Sequence, residues 1–157
     1  MPNWCENIVS IAAPDTATAD RIEAAFRRGE LFHEFIPVPP SDPDWYAKRN
    51  AAWGVKWDVG AEEGMISRDA DVLHLGFLSA WVPPIAFFEH LVALGCGIEA
   101  DYLEPSMMFC GSFLHGRDLP TSYQVQADIP ARVVTAFGGQ YIDNLFDWYD
   151  PGEETGS

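Results

Sequence analysis

Apolar and polar residues alternate in short runs along this chain, and proline- and glycine-rich turns separate the runs. Ile8, Val9 and Ile11 mark a first strand over residues 7–12. Pro14 and Asp15 turn the chain, and Asp15 or Thr16 can cap a helix that runs through Arg28 with Ile22, Ala25 and Phe26 on one face. Arg27 and Arg28 suit its negative end, and Gly29 supplies a left-handed stop. Residues 31–50 hold Pro37, Pro39, Pro40 and Pro43, which lack a backbone donor. Phe32, Phe35, Ile36, Trp45 and Tyr46 are too apolar for a solvated linker, so the pattern predicts a packed loop with a short helix near residues 45–52.

The cleanest alternation follows. Trp53, Val55, Trp57 and Val59 fall on one side, and Gly54, Lys56 and Asp58 on the other, which predicts a half-buried strand whose indoles fill the core. Residues 60–71 read as an acidic turn, and 72–81 as a strand apolar on both faces and therefore central. Pro83 and Pro84 open a helix carrying Ile85, Phe88, Leu91 and Val92, which Gly95 ends. Further strands are predicted over 98–103, 107–114 and 122–127, then a helix with Val133, Val134 and Phe137, closed by Gly138 and Gly139. The order β-α-β-β-α-β predicts an α+β fold of the split βαβ, ferredoxin-like kind: an antiparallel sheet with helices on one face, extended by extra C-terminal strands and a helix. One domain over 1–157 is expected, with a core at about 1–115, an extension at 116–150 and a disordered tail at 151–157.

Charge sharpens this picture. Nine basic residues face 24 acidic ones, a formal net charge of −15. Binding to nucleic-acid phosphates needs clustered Lys and Arg, which excludes direct DNA or RNA binding as the expected activity. A basic protein surface is the complementary partner. Three cysteines without C-x-x-C spacing point to reduced, structural thiols. No apolar run reaches the length of a membrane span and the first residues show no secretory pattern, so a cytoplasmic protein is expected.

Several segments occur together in a distinctive order: Met1-Pro2-Asn3-Trp4-Cys5-Glu6-Asn7, Trp53-Gly54-Val55-Lys56-Trp57, Ala80-Trp81-Val82-Pro83-Pro84, Glu104-Pro105-Ser106-Met107 and Phe109-Cys110-Gly111. They resemble the YubB-type ferredoxin-like domain family carried on plasmids and bacteriophages, over roughly residues 1–115. The resemblance implies a ferredoxin-like fold and a mobile-element origin. It brings no catalytic residues. Leu78-Ser79 and Val82 stand where the family pattern has more polar residues.

Candidate chemistry is sparse. His33-Glu34 begins like a zinc-protease helix, but Pro37 stands where the second His belongs. The remaining His and Cys lack metal-site spacing, Gly111-Ser112 lacks the hydrolase elbow, and no cofactor or metal is expected. Two constellations remain. Trp4, Trp53, Trp57 and Trp81 could line an aromatic groove, although core filling is the simpler role for indoles on an apolar strand face. Glu99, Asp101 and Glu104 on one strand, with Asp143, Asp147 and Asp150 among the aromatic residues of the tail, could form an acidic partner-binding surface. The expected function is a non-enzymatic binding protein of a mobile element, in concrete form an anti-CRISPR or anti-restriction mimic of DNA. An enzyme whose site assembles only in the fold and an oligomeric structural protein are the alternatives.

Overall fold

The first strand is longer at its start than the apolar pattern predicts. In the computed structural model, which describes residues 2–147, β1 covers Trp4–Ala12, with Cys5, Asn7, Val9 and Ile11 buried and the residues between them facing the other way. Helix α1, Thr16–Arg27, starts where Asp15 Oδ1 accepts the Thr18 N–H at 2.7 Å, a cap that stabilises by about 1 kcal/mol. The proline-rich stretch holds two helices, α2 at Leu31–Phe35 and α3 at Trp45–Trp53.

Residues 53–59, expected as a strand, form none. Trp53 ends α3, and Gly54 turns the chain in the left-handed region (φ 88°) while packing close to the backbone of Ile85. Two backbone groups of this segment, the Lys56 carbonyl and the Val59 N–H, go to side chains instead, and the same side chains tie the segment to its neighbours. The Arg49 guanidinium donates to the carbonyls of Val38 and Lys56. Asp58 accepts the N–H groups of Phe32, His33 and Val59.

The strand in this place is β2, Met65–Asp69, inside the expected acidic turn. It forms a hairpin with β3, Val72–Ala80, and is followed after α4, Ile85–Ala93, by β4, Gly97–Glu104, β5, Phe109–Leu114, and β6, Arg117–Ser122. β6 replaces the expected strand over 122–127, where the chain makes a 3-10 turn at Gln126–Asp128. Two helices follow, α5 at Ala131–Phe137 and α6 at Gly139–Asp147, the second not foreseen from sequence. The six strands form one sheet in the order β2-β3-β1-β4-β5-β6, every neighbour antiparallel, in an α+β protein. Among the described residues no helix is long and apolar enough to cross a membrane.

Register separates the two faces. Val9 lies opposite Leu75 and Ala100, and Ile11 opposite Leu73 and Ile98. These residues share one core with Ile22 and Phe26 of α1, Phe32 of α2, Trp53 of α3 and Phe88 of α4. Leu103 and Cys110 face the other way and share a second core with Val133 of α5 and Ile142 of α6. Helices therefore cover both faces rather than the one expected, because the C-terminal extension folds back across β4 and β5. Among the described residues it leaves the opposite half of that second face, on β2, β3 and β1, without a helix.

Candidate functional site

The uncovered half-face carries apolar side chains that a solvated strand surface does not need. Register puts Trp4 beside Ala80, Glu6 beside Leu78, Ile8 beside Gly76, and Gly76 beside Met65, all on this side. Trp4, Ile8, Leu78 and Met65 are exposed. Contiguous exposed apolar surface of this kind marks interaction sites. It lies in three adjoining depressions. One of about 280 Å³ is lined by Trp4, Trp57, Leu78, Glu62 and Glu63. The next, about 320 Å³, shares Glu63 and Leu78 and adds Glu6, Ile8, Met65 and Phe137. The third, about 370 Å³, shares Ile8 and Met65 and reaches His74, Glu99 and Arg132. Together they form one groove.

The first depression is held in place by the irregular segment after α3. Asp58 pins it to the start of α2, and burial pushes the Asp58 carboxyl up against the pull of its three N–H donors. Gly60 lies so close to Gly29 that an added Cβ would come within 2.3 Å of the Gly29 Cα. Only glycine permits this approach, which positions the turn carrying Glu62 and Glu63 (Ala61–Glu63). Trp57 meets Trp4 with ring centroids 6.0 Å apart, and Lys56 Nζ lies 4.5 Å from the centre of the Trp57 ring.

Trp81 stands just past β3 with φ 73°, a conformation that costs a bulky residue on the order of 1–3 kcal/mol. A local network imposes it. Asn7 Nδ2 donates to Ser79 Oγ at 2.8 Å, Ser79 Oγ donates to the Val82 carbonyl at 2.7 Å, and the Trp81 N–H donates to the Asn3 carbonyl at 2.8 Å. The indole is 44% exposed. Backbone strain that presents an aromatic side chain to solvent is a feature of functional sites.

Of the four tryptophans named from sequence, Trp4, Trp57 and Trp81 are surface residues and Trp53 is not. Trp53 is fully buried, donates from Nε1 to the Ile36 carbonyl at 2.9 Å and packs on Phe32. Trp57 breaks the expected apolar side: Val55 and Val59 are buried while Trp57 is 40% exposed, because residues 54–57 bend instead of pleating.

The expected acidic surface also needs correction. Asp101 is 5% exposed, accepts from Ser112 Oγ at 2.6 Å and pairs with Arg132 at 3.0 Å. Glu104 is fully buried, on the opposite side of β4 from Glu99 and Asp101, and accepts the Ser106 and Met107 N–H groups that close the β4–β5 turn. Both carboxylates are structural. Glu99 is exposed at the far end of the groove. Asp143 and Asp147 are exposed on α6, where Asp143 accepts from Gln126. Asp150, with Trp148, Tyr149 and the tail at 151–157, lies outside the described residues. Sequence reasoning missed Glu62, Glu63, Ile8, Met65 and Leu78. The one available signal was the apolar residue at both parities of β3, which reads equally as a strand covered on two sides.

Glu6 gives the groove a pH response. Its Oε2 is buried without a hydrogen-bond partner among the described residues, between Leu78 and Leu103, and burial pushes its carboxyl above the usual range. A raised pKa in the fold means that folding favours the protonated acid. That contribution is complete below the unfolded value of about 4.3 and is lost as pH rises through the folded value. Glu6→Gln is therefore expected to raise the melting temperature slightly at pH 7, by about 1–2 °C because solvent screens the half-exposed group, with the gain vanishing by about pH 4. A gain that stays constant from pH 4 to 8 contradicts this assignment.

Other chemistry recedes. The three cysteines are buried free thiols, and burial raises the pKa of each, that of Cys110 to about 11, so none is a ready thiolate nucleophile. His33 Nδ1 accepts the Val38 N–H. Among the described residues no three His, Cys, Asp or Glu side chains group as metal ligands. A larger cavity of about 610 Å³ beside α6 has no charged side chain among the described residues of its lining. Among the described residues, six of the nine cations, Arg21, Arg27, Arg28, Lys48, Arg68 and Arg132, pair with carboxylates.

No family model and no curated protein matches the chain. Among solved structures it is similar to the crystal structure of protein api92 from Yersinia pseudotuberculosis, of the family model DUF1281, at 16% identity and a TM-score of 0.42. The match covers 61% of this chain and spans 40% of the length of that one.

Proposed function

We propose that this protein is a non-enzymatic binding module whose open half-sheet, on β2, β3 and β1, engages a basic and partly apolar protein surface. The observation that carries the reading is the groove itself: exposed indole and aliphatic side chains bordered by Glu62, Glu63 and Glu99, on a chain with a net charge of −15. Apolar anchors supply affinity, and the summed acidic field steers and selects the partner. In its narrow form the partner is a nucleic-acid-binding protein of a host defence system, whose phosphate-binding surface the chain occupies in the manner of an anti-CRISPR or anti-restriction protein. Excess acidity and the pairing of most of the chain's own cations support that form. Membership of the YubB-type family of plasmids and phages belongs to the same proposal. So does a ferredoxin-like reading of β1 to β4, which the antiparallel order β2-β3-β1-β4, with α1 after β1 and α4 after β3, supports.

The test is affinity capture from a bacterial lysate with the full chain at two salt concentrations, beside a mobility assay on duplex DNA. The expected result is a basic protein recovered at about 0.1 M salt and largely lost at 1 M, where the screening length falls to about 3 Å, with no retardation of DNA. Direct, salt-sensitive DNA binding, or a captured partner indifferent to salt, contradicts the proposal.

A further inference from the structure

The groove is not uniform, and its first depression has a chemistry of its own. Trp4 and Trp57 meet there at an interplanar angle of 37°, neither parallel nor edge-on, leaving both rings 37–40% exposed. Glu62 and Glu63 line the same depression and are exposed. Neither carboxylate is engaged in an ion pair or side-chain hydrogen bond among the described residues, unlike Glu23, Glu30 and Glu34 of the neighbouring α1–α2 region, which Arg27, Arg28 and Arg21 hold. Aromatic faces attract cations, and Trp does so most strongly. The protein already uses this attraction locally, since Lys56 Nζ lies over Trp57 at 4.5 Å and the Arg49 guanidinium over Trp53 at 4.7 Å.

We propose that this depression is a pocket for one arginine side chain of the basic partner, its guanidinium stacked against the Trp4–Trp57 walls and its N–H groups donating to Glu62 and Glu63. The inference rests on the groove reading above and names its anchor. The depression, of about 280 Å³, has room for one side chain. Arginine fits better than lysine on two grounds. A guanidinium is planar and weakly hydrated, so it stacks on indole at a small desolvation cost, and its fork of donors can serve two carboxylates at once. An ammonium is a compact, strongly hydrated point charge, and the chain already places one, Lys56, on Trp57. Leu78 and Ala80 in the lining of the pocket suit the aliphatic stem.

The experiment follows the indole N–H signals of the full chain by NMR during titration with the tripeptide Leu-Arg-Leu, capped at both ends, and with the same peptide carrying citrulline, which keeps the shape and removes the charge. The expected result is a saturable shift of the Trp4 and Trp57 signals with the arginine peptide, no shift of buried Trp53, and an affinity at least about tenfold weaker for citrulline and for a Glu62→Gln/Glu63→Gln variant of unchanged melting temperature. Equal shifts from both peptides, equal affinity in the variant, or no shift at Trp4 and Trp57 overturns the arginine pocket. The groove reading fails separately: there, Trp4→Ala/Trp57→Ala keeps full affinity for the captured partner. An arginine pocket that fails while that double variant loses the partner leaves an apolar groove without a cationic anchor.

Discussion

Trp53→Ala is expected to lower the melting temperature by about 6–20 °C, the consequence of losing about 3–5 kcal/mol from a core tryptophan in a chain of this size. Three contacts disappear together. The ring fills space against Phe32 at 5.6 Å between centroids, its Nε1 holds the Ile36 carbonyl, and Arg49 lies over its face at 4.7 Å. Arg49 matters because the same guanidinium ties down Val38 and Lys56, and so the irregular segment beneath the groove. Trp57→Ala, four residues on, is expected to cost only about 1 kcal/mol, since its half-exposed ring meets mainly Trp4 and Lys56. Thermal melts of the two variants decide the point. Equal losses would mean that Trp57 is a core residue after all.

The second large effect is on binding. Trp4→Ala/Trp57→Ala is expected to weaken the captured partner about a hundredfold or more, because buried aromatic anchors at interface centres commonly exceed 2 kcal/mol each. The melting temperature should fall by only a few degrees. Calorimetric titration of the captured partner with the variant and the parent measures it. Asp143→Asn/Asp147→Asn on α6 serves as the comparison, since isolated exposed charges contribute about 0–1 kcal/mol and act chiefly on the rate of encounter. A double variant that binds as tightly as the parent, with tail variants that do not, moves the interface to α6.

The elements legible in the sequence are those whose apolar spacing reports burial directly. β1, α1, β3, α4, β4 and α5 all bury a periodic face, and the periodicity placed each to within a few residues. β2 and β6 are edge strands. Met65, Ser67 and Asp69 are exposed, as are five of the six residues of β6, so neither strand has a buried face to announce it. The β2–β3 turn also lacks the usual glycine signal, with Ala70 in the left-handed region at φ 53°, whereas the β5–β6 turn carries one, Gly116 at φ 74° after His115. Residues 53–59 failed in the opposite way. The alternation there is real for Val55 and Val59, but Arg49 takes the Lys56 carbonyl, Asp58 takes the Val59 N–H, and no ladder forms. Tertiary hydrogen bonding of this sort leaves no local trace in sequence.

The site was partly legible for the same reasons. Trp4, Trp57 and Trp81 stood out as residues that combine apolar bulk with a polar edge, but sequence could not show that Trp53 turns inward and the others outward. Asp101 and Glu104 looked like surface charge until the C-terminal extension brought Arg132 over one and the β4–β5 turn wrapped the other. That extension also decides which half of the second sheet face stays open, and nothing before residue 116 anticipates it.

Hydroxyl-radical footprinting of the complex tests the central claim most directly, because tryptophan, methionine and leucine react readily and the groove presents all three. The account predicts that Trp4, Trp57, Met65 and Leu78 lose reactivity when the captured basic partner is added, while Leu119, exposed on β6 at the opposite edge of the sheet from β2, does not change. Unchanged reactivity at the four groove residues, with protection elsewhere on the chain, would contradict it.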